Sequence, residues 1–248
     1  DKLKGVSLSA NWMWPAKNEG EDARLYKAVE AASDFACALG INIPTGKDSL
    51  SMKQKYPDGK EVYSPGTVII SAAAEVEDVT KVVTPVLAVD TDTSLLYIDL
   101  SKEKLVLGGS SFAQVLNKVG EESPNVSDAT YFGTVFNAIQ QLIKEKKILS
   151  GHDISAGGLI TALLEMNFAN ENGGLKVNLD SINEQDLIRL LFSENPGVII
   201  QVKELAAVEV LLKESNIDFH VIGHPTDEST LNITHNGQVF NFDIDTLR

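Results

Sequence analysis

Cysteine is almost missing from these 248 residues: Cys37 stands alone, which excludes an internal disulfide and favours a reducing, cytoplasmic compartment. Long apolar runs are missing too. None reaches the roughly 18–20 residues of a membrane span, so no membrane partner is expected. The opening Asp1-Lys2-Leu3-Lys4 carries neither an initiator methionine nor an apolar signal core, and the chain reads as a piece of something longer. Positive charge is sparse: 21 Lys and Arg face 35 Asp and Glu, for a formal charge of −14. The basic residues are scattered, whereas nucleic-acid backbones need Lys/Arg stripes, so nucleic acid is excluded as a partner. The densest cluster, Lys144-Glu145-Lys146-Lys147, falls at the end of an expected helix, where cations complement the dipole. There is no Gly-x-Ser-x-Gly elbow and no Cys/His couple, which removes the common hydrolase readings. Cys37 sits in Phe35-Ala36-Cys37-Ala38-Leu39 and is expected to pack in a core rather than act as a nucleophile.

What is present is an ordinary globular balance, 43% hydrophobic and 23% charged. Val6, Leu8 and Ala10 alternate with serines, a strand pattern, followed by an expected loop through Asn11-Trp12-Met13-Trp14-Pro15. From Glu21 to Leu39, helical spacing puts Leu25, Ala28, Val29, Ala32, Phe35, Ala36 and Leu39 on one face, and Gly40 ends the run. Pro57-Asp58-Gly59-Lys60 is a turn, and 67–76 is a buried-strand run. A break near Val83-Thr84-Pro85 divides the chain into residues 1–83 and 84–248. Beyond it, strands are expected at 95–100, 175–179, 197–202 and 219–223. Helices are expected at 110–119, 129–146, 184–192 and 204–214. A C-terminal hairpin turns on Asn236-Gly237. Helices interspersed with strands and hairpins imply an α+β chain with a mixed sheet.

One segment stands out: Ser150-Gly151-His152-Asp153-Ile154-Ser155-Ala156-Gly157-Gly158-Leu159. An apolar run enters it and a helical run leaves it, so it reads as strand, tight loop and helix start. Free N–H groups and the positive dipole end at that start suit a phosphate. Gly157 and Gly158 would admit close approach, and Asp153 could hold the Mg²⁺ that accompanies a nucleotide. The competing reading makes Ser155 an N-cap and the glycines a turn. His152 is equally suited to orienting a ligand or to a structural role. Gly46-Lys47-Asp48-Ser49 is not a P-loop, because the spacing from Gly40 is wrong and Asp48 replaces the hydroxyl residue. Read as a loop, it still gathers a cation, an acid and a hydroxyl. A solvated turn is the alternative. His220 and His224 are read as a strand residue and a turn residue, with no third ligand for zinc. Glu194, in Phe192-Ser193-Glu194-Asn195-Pro196-Gly197, is an acid at a helix end that alone says little.

Four segments occur in one order: Leu8-Ser9-Ala10-Asn11-Trp12-Met13, Pro44 to Met52, Leu107-Gly108-Gly109-Ser110 and His152 to Leu159. Over nearly its whole length the chain resembles the large, single-chain phosphoribosylformylglycinamidine synthases. These are relatives of aminoimidazole ribonucleotide synthetase and selenophosphate synthetase. The resemblance implies most of the second of two tandem synthetase modules: a partial N-terminal half-barrel (1–83), then an α/β sandwich with a mixed sheet (84–248). It implies a ligase of purine biosynthesis that joins formylglycinamide ribonucleotide, ATP and glutamine-derived ammonia. It also implies an auxiliary ATP/ADP site with Mg²⁺. Asp153 and Asp48 would serve as metal ligands. Ser155, Lys47, Gly157 and Gly158 would serve as nucleotide contacts. The first synthetase module and the glutaminase domain would be partners, no catalytic residue lies in this chain, and the chain alone would be inactive. A stand-alone acidic nucleotide- or protein-binding module, and a small-molecule kinase of the wider group, are the alternatives.

Overall fold

The computed structural model describes residues 3–248, and the chain divides into two compact units, one ending at Asp78 and one beginning at Val79. The sequence pattern placed the break near Val83-Thr84-Pro85, and this division falls a few residues earlier.

In the first unit, a short 3₁₀ turn (Leu3–Gly5) leads into β1 (Val6–Met13), α1 (Glu21–Leu39), β2 (Asn42–Ser49), β3 (Lys53–Lys55), β4 (Glu61–Tyr63) and β5 (Thr67–Ala74). β1 is central, parallel to β2 and antiparallel to β5. The parallel pair needs the α1 crossover. Asn11-Trp12-Met13, expected as loop, continues β1, because β2 and β5 both pair with it to its end. Gly46-Lys47-Asp48-Ser49 is likewise strand rather than loop: Gly46 pairs with Ala10 so closely that a Cβ there would lie 2.1 Å from the Ala10 carbonyl oxygen. α1 begins with Glu21 and Asp22, favourable at the dipole's positive end. It stops at Gly40, whose left-handed φ of 70° lets its N–H reach the last carbonyls. Ala36 is buried but Cys37 is exposed, contrary to expectation. One residue further along turns the side chain about 100° off the covered stripe. Val29, at the edge of that stripe, is exposed as well. β5, read as buried, is exposed along Val68, Ile69 and Ile70, because it is an edge strand that no layer of its own unit covers.

The second unit runs β6 (Ser94–Asp99), α2 (Ser111–Val115), α3 (Ala129–Lys144), β7 (Ile148–Asp153), α4 (Gly158–Phe168), β8 (Gly174–Asn178), α5 (Leu187–Phe192), β9 (Gly197–Val202), α6 (Leu205–Glu214), β10 (His220–Thr226), β11 (Thr230–His235), β12 (Gln238–Asp243) and α7 (Ile244–Leu247). The sheet order is β12-β11-β8-β10-β6-β9-β7. β11 lies parallel to β8 and the other pairs are antiparallel, so the sheet is mixed. Strand alternation separates two cores. Leu95, Tyr97, Leu175, Val177 and Ile199 pack with Leu159, Leu163 and Met166 of α4. Leu96, Ile98, Ile200 and Val202 pack with Val135 and Leu142 of α3 and with Val208 and Leu212 of α6. The expected helix 110–119 shortens to α2, since Asn117 and Gly120 take left-handed φ values of 54° and 80°. The expected start of α5 at Glu184 moves to Leu187 because the Asp186 carboxylate caps it, accepting from the Ile188 and Arg189 N–H groups. β10 extends through His224, so both histidines lie on one strand.

One buried polar side chain ties the second unit's entry segment to its sheet. Gln201 is fully buried on β9. Its Oε1 accepts from the Ala88 N–H (2.9 Å) and the Ser150 hydroxyl (2.9 Å), and its Nε2 donates to the Ala88 carbonyl (2.8 Å) and Thr93 Oγ1 (2.7 Å). Gln201→Leu leaves these partners desolvated and unpaired. Chemical denaturation should show a loss of about 3 kcal/mol, against under about 1 kcal/mol if the network carries no weight.

Half-buried His220 has its pKa lowered by burial, opposed in part by Asp218, a Ser181 backbone hydrogen bond and Asp99. The unfolded chain therefore takes the proton more readily than the folded one. The stability it contributes is full above the ordinary histidine value of 6.5 and falls as pH drops from there toward the lowered folded value. In His220→Gln that part of the acid loss should vanish from denaturation midpoints measured between pH 7 and 5. An unchanged pH profile would refute the assignment.

Candidate functional site

The distinctive loop forms where β7 runs out. β9 holds β7 to its end, and the buried Ile154 donates its N–H to the Gly197 carbonyl oxygen (2.8 Å), fixing the point of departure. Asp153 just before it and Ser155 just after it are exposed. The Asp153 side chain is 74% accessible, so its carboxylate faces solvent at the mouth of the loop. The His152 side chain is only 14% accessible, and its Nδ1 stands 3.5 Å from Asp153 Oδ1. Its Nδ1 lies 2.7 Å from the Asp153 carbonyl oxygen and its Nε2 3.2 Å from Glu165 Oε2. Both ring nitrogens are thus engaged by the chain itself, which is the structural role.

The cap of α4 is Gly157, not Ser155. Gly157 has a φ of 89° and Gly158 follows at 75°, conformations that only glycine adopts at small cost. Ser155 contributes its carbonyl oxygen, which accepts from the Gly158 N–H at 3.0 Å. The Gly157 N–H donates to Glu194 Oε1 at 2.8 Å. The two amides expected to face a phosphate are therefore already satisfied within the chain, one of them by a carboxylate. The glycines are small for a packing reason as well. A Cβ on Gly157 would lie 2.2 Å from Thr161 Oγ1, and one on Gly158 would lie 2.6 Å from the Leu191 carbonyl oxygen. At Gly158 the close approach is helix against helix, α4 on α5, and at Gly157 it is to the Thr161 side chain of α4 itself.

Glu194 is the residue that sequence reasoning underrated. The same Oε1 accepts a second N–H, that of Ser111 at the start of α2, at 2.7 Å. The Leu107-Gly108-Gly109-Ser110 turn is thereby tied to the glycine loop. Ser110 caps α2 through its hydroxyl, which accepts from the Ala113 N–H (3.2 Å). Gly108 crosses the chain at Glu122 so tightly that a Cβ would lie 2.1 Å from the Glu122 carbonyl oxygen. Beside this turn opens a cleft of about 480 Å³ with Val106, Phe112 and Leu116 on its apolar side and Lys118 and Arg189 among its cations. The signal for Glu194 was available: an acid set between a helix end and a strand, beside Asn and Pro, where backbone donors gather.

Lys47 and Asp48 lie on β2 in the other unit, paired in register with Asn11 and Trp12. Successive strand residues point to opposite faces, so they cannot grip one ligand side by side. Lys47 instead donates to the Ser49 hydroxyl on its own face. Among the described residues no group of three or more His, Cys, Asp and Glu could hold a metal ion. Asp153 offers a single carboxylate, which fits Mg²⁺ only where phosphate oxygens and water complete the shell.

Residues 1–75 match the FGAR-AT PurM_N-like domain, and residues 95–236 match the family described as AIR synthase related protein, C-terminal domain. The chain is 41% identical over 239 residues to the probable phosphoribosylformylglycinamidine synthase, chloroplastic/mitochondrial, of Arabidopsis thaliana. The match takes in 95% of this chain but only 17% of that protein. Among solved structures it is similar to T. maritima PurL complexed with FGAR (TM-score 0.73, 15% identity, 99% of this chain and 40% of that one). It is similar also to T. maritima PurL complexed with ATP (0.69, 12%, 99% and 38%) and to E. coli HypE, a hydrogenase maturation protein (0.64, 15%, 98% and 75%). At these identities the structural likeness speaks for the fold alone.

If the glycines serve packing, Gly158→Ala should destabilise the second unit by about 2 kcal/mol or more, from a left-handed alanine plus a clash with α5 backbone. Thermal unfolding that does not move would return the loop to the ligand-approach reading.

Proposed function

The chain belongs to the AIR synthase related protein family, and within it we propose that it is one segment of a phosphoribosylformylglycinamidine synthase, an ATP- and glutamine-dependent ligase of purine biosynthesis. The observation that carries this is the succession of two family domains in one chain, together with 41% identity over 95% of it to the Arabidopsis synthase. Because the chain spans only 17% of that relative, the first synthetase module and the glutaminase domain are proposed partners rather than parts of it. The exposed apolar edge of β5 supports an arrangement in which another module completes the half-barrel. A cytoplasmic setting accords with the single, unpaired cysteine.

The ligase must hold ATP phosphates with Mg²⁺ and keep water from a reactive phosphorylated amide. This chain's contribution is an auxiliary nucleotide site. Asp153 supplies a solvent-facing carboxylate for the metal and Ser155 a neighbouring polar contact. Gly157 and Gly158 shape the loop, their N–H groups being engaged by Glu194 and Ser155. Lys47 and Asp48, on opposite faces of β2, are kept as candidate contacts of the other unit, one at a time rather than together. No residue is assigned a bond-making role, and the chain alone is inactive.

Calorimetric titration with Mg·ADP tests the site. The wild-type chain should bind, and Asp153→Ala should weaken binding by about tenfold or more, the loss of one metal carboxylate. Equal binding by both proteins, or none by the wild type, would remove the nucleotide site from this loop.

A further inference from the structure

Glu194 stands on an unusually fixed piece of chain. Its neighbours Ser193 and Asn195 are buried. Asn195 Nδ2 donates to Ser101 Oγ and to the Lys104 carbonyl oxygen, both at 3.1 Å, and its Oδ1 accepts from the Val106 N–H (3.3 Å) and the Ser193 hydroxyl (2.5 Å). The Pro196 carbonyl accepts from the Leu100 N–H at 2.9 Å. A side chain rooted this firmly is aimed rather than free to swing. Its Oε1 meets the Gly157 N–H at 2.8 Å and the Ser111 N–H at 2.7 Å. One carboxylate oxygen accepting from two amide donors at these distances makes short bonds, the geometry of strong acceptor contacts. Gly157 is the hinge on which the Asp153-to-Ala156 stretch, exposed at all but the buried Ile154, turns back into α4.

We propose that Glu194 is a positioning residue: by holding the Gly157 and Ser111 amides with one oxygen, it couples the turn before α2 to the loop before α4 and fixes where Asp153 and Ser155 stand. This rests on the nucleotide reading above in naming Mg·ADP as what the loop receives. Glu194 itself touches no ligand. Its carboxylate fills the anion seat at the start of α4, so the nucleotide is met by the exposed side of the loop, not by the glycine amides.

The full chain is compared as wild type, Glu194→Gln and Glu194→Ala. The amide oxygen of Gln still accepts both donors, and Ala accepts neither. Glu194→Ala should speed hydrogen exchange at both Gly157 and Ser111 by about tenfold or more and weaken Mg·ADP binding by about tenfold. Glu194→Gln should stay within about threefold on both counts. The Ile154 amide, bonded to Gly197, is the internal control and should not move. Unchanged exchange at either amide in Glu194→Ala overturns the coupling. Faster exchange at both with unaltered Mg·ADP affinity overturns the positioning role.

Should the wild type take no Mg·ADP, the nucleotide reading falls separately, and the coupling is decided by Ser110→Ala, which removes the α2 cap away from Glu194. The same arm serves if Glu194→Ala does not fold. Faster exchange at Gly157 with Ile154 unmoved upholds the coupling, and an indifferent Gly157 overturns it.

Discussion

The larger unit depends on β9 being buried on both faces. Ile199 faces the core under α4, while Ile200 and Val202 face the core under α3 and α6. A strand in that position must have every backbone and side-chain polar group satisfied internally. The constraint explains what surrounds it. β6 and β7 take its backbone groups on either side. Gln201, the polar side chain it carries inward, is saturated by Ala88, Ser150 and Thr93. Its first residue, Gly197, holds Ile154, so the place where β7 opens into the candidate loop is set by β9. The stretch just before it, Ser193 to Pro196, binds the loops on both sides. The candidate loop is in this sense an extension of the core: its geometry is inherited from a strand buried on both faces.

The elements that declared themselves in the sequence did so through periodicity supported by an end signal. α1 runs from Glu21 to Leu39 as read, because a helical stripe and Gly40 agree. The Asn236-Gly237 hairpin forms as read, because both residues adopt the positive φ values, 49° and 75°, that the turn demands. The mixed sheet followed from strands joined both by helices and by hairpins. Where the reading failed, tertiary contact overrode the local pattern. Asn11-Trp12-Met13 and Gly46 to Ser49 contain residues typical of loops, yet both are strand, because pairing with a neighbour satisfies more backbone groups than an isolated turn could. Burial was the least legible quantity. A run such as Val68-Ile69-Ile70 carries the composition of an interior strand wherever its covering layer comes from, and nothing local distinguishes a layer in the same unit from one supplied elsewhere.

The site was legible as a place but not as a set of roles. Strand, acid, hydroxyl, two glycines and helix correctly marked a loop opening at the C-terminal end of β7. Glycine, however, has two meanings that sequence cannot separate: room for a ligand and room for neighbouring backbone. At Gly157 and Gly158 the occupants are Thr161 and the Leu191–Phe192 backbone. The amides were expected to be donors to a ligand, but Glu194 lies thirty-seven positions from Gly157 in sequence, and no local pattern announces that it arrives there.

A carboxylate at a helix N-terminus and a phosphate there are alternative solutions to one electrostatic problem, the unpaired N–H groups and partial positive charge of the first turn. A loop left open for phosphate must tolerate those donors unpaired between ligands. A loop closed by its own acid stays ordered without one but surrenders that seat. This chain takes the second course at Gly157. The consequence is a division of labour along the loop. The inward side, with Glu194 and the glycines, keeps shape, and the outward side, with the exposed Asp153 and Ser155, is the side that the proposed nucleotide would meet. Such a site can hold a nucleotide only as tightly as its exposed groups and their metal allow. On the nucleotide reading proposed above, that would suit a ligand that orders structure rather than reacts, because ordering needs a fixed loop more than it needs donors aimed at a transferring phosphoryl group.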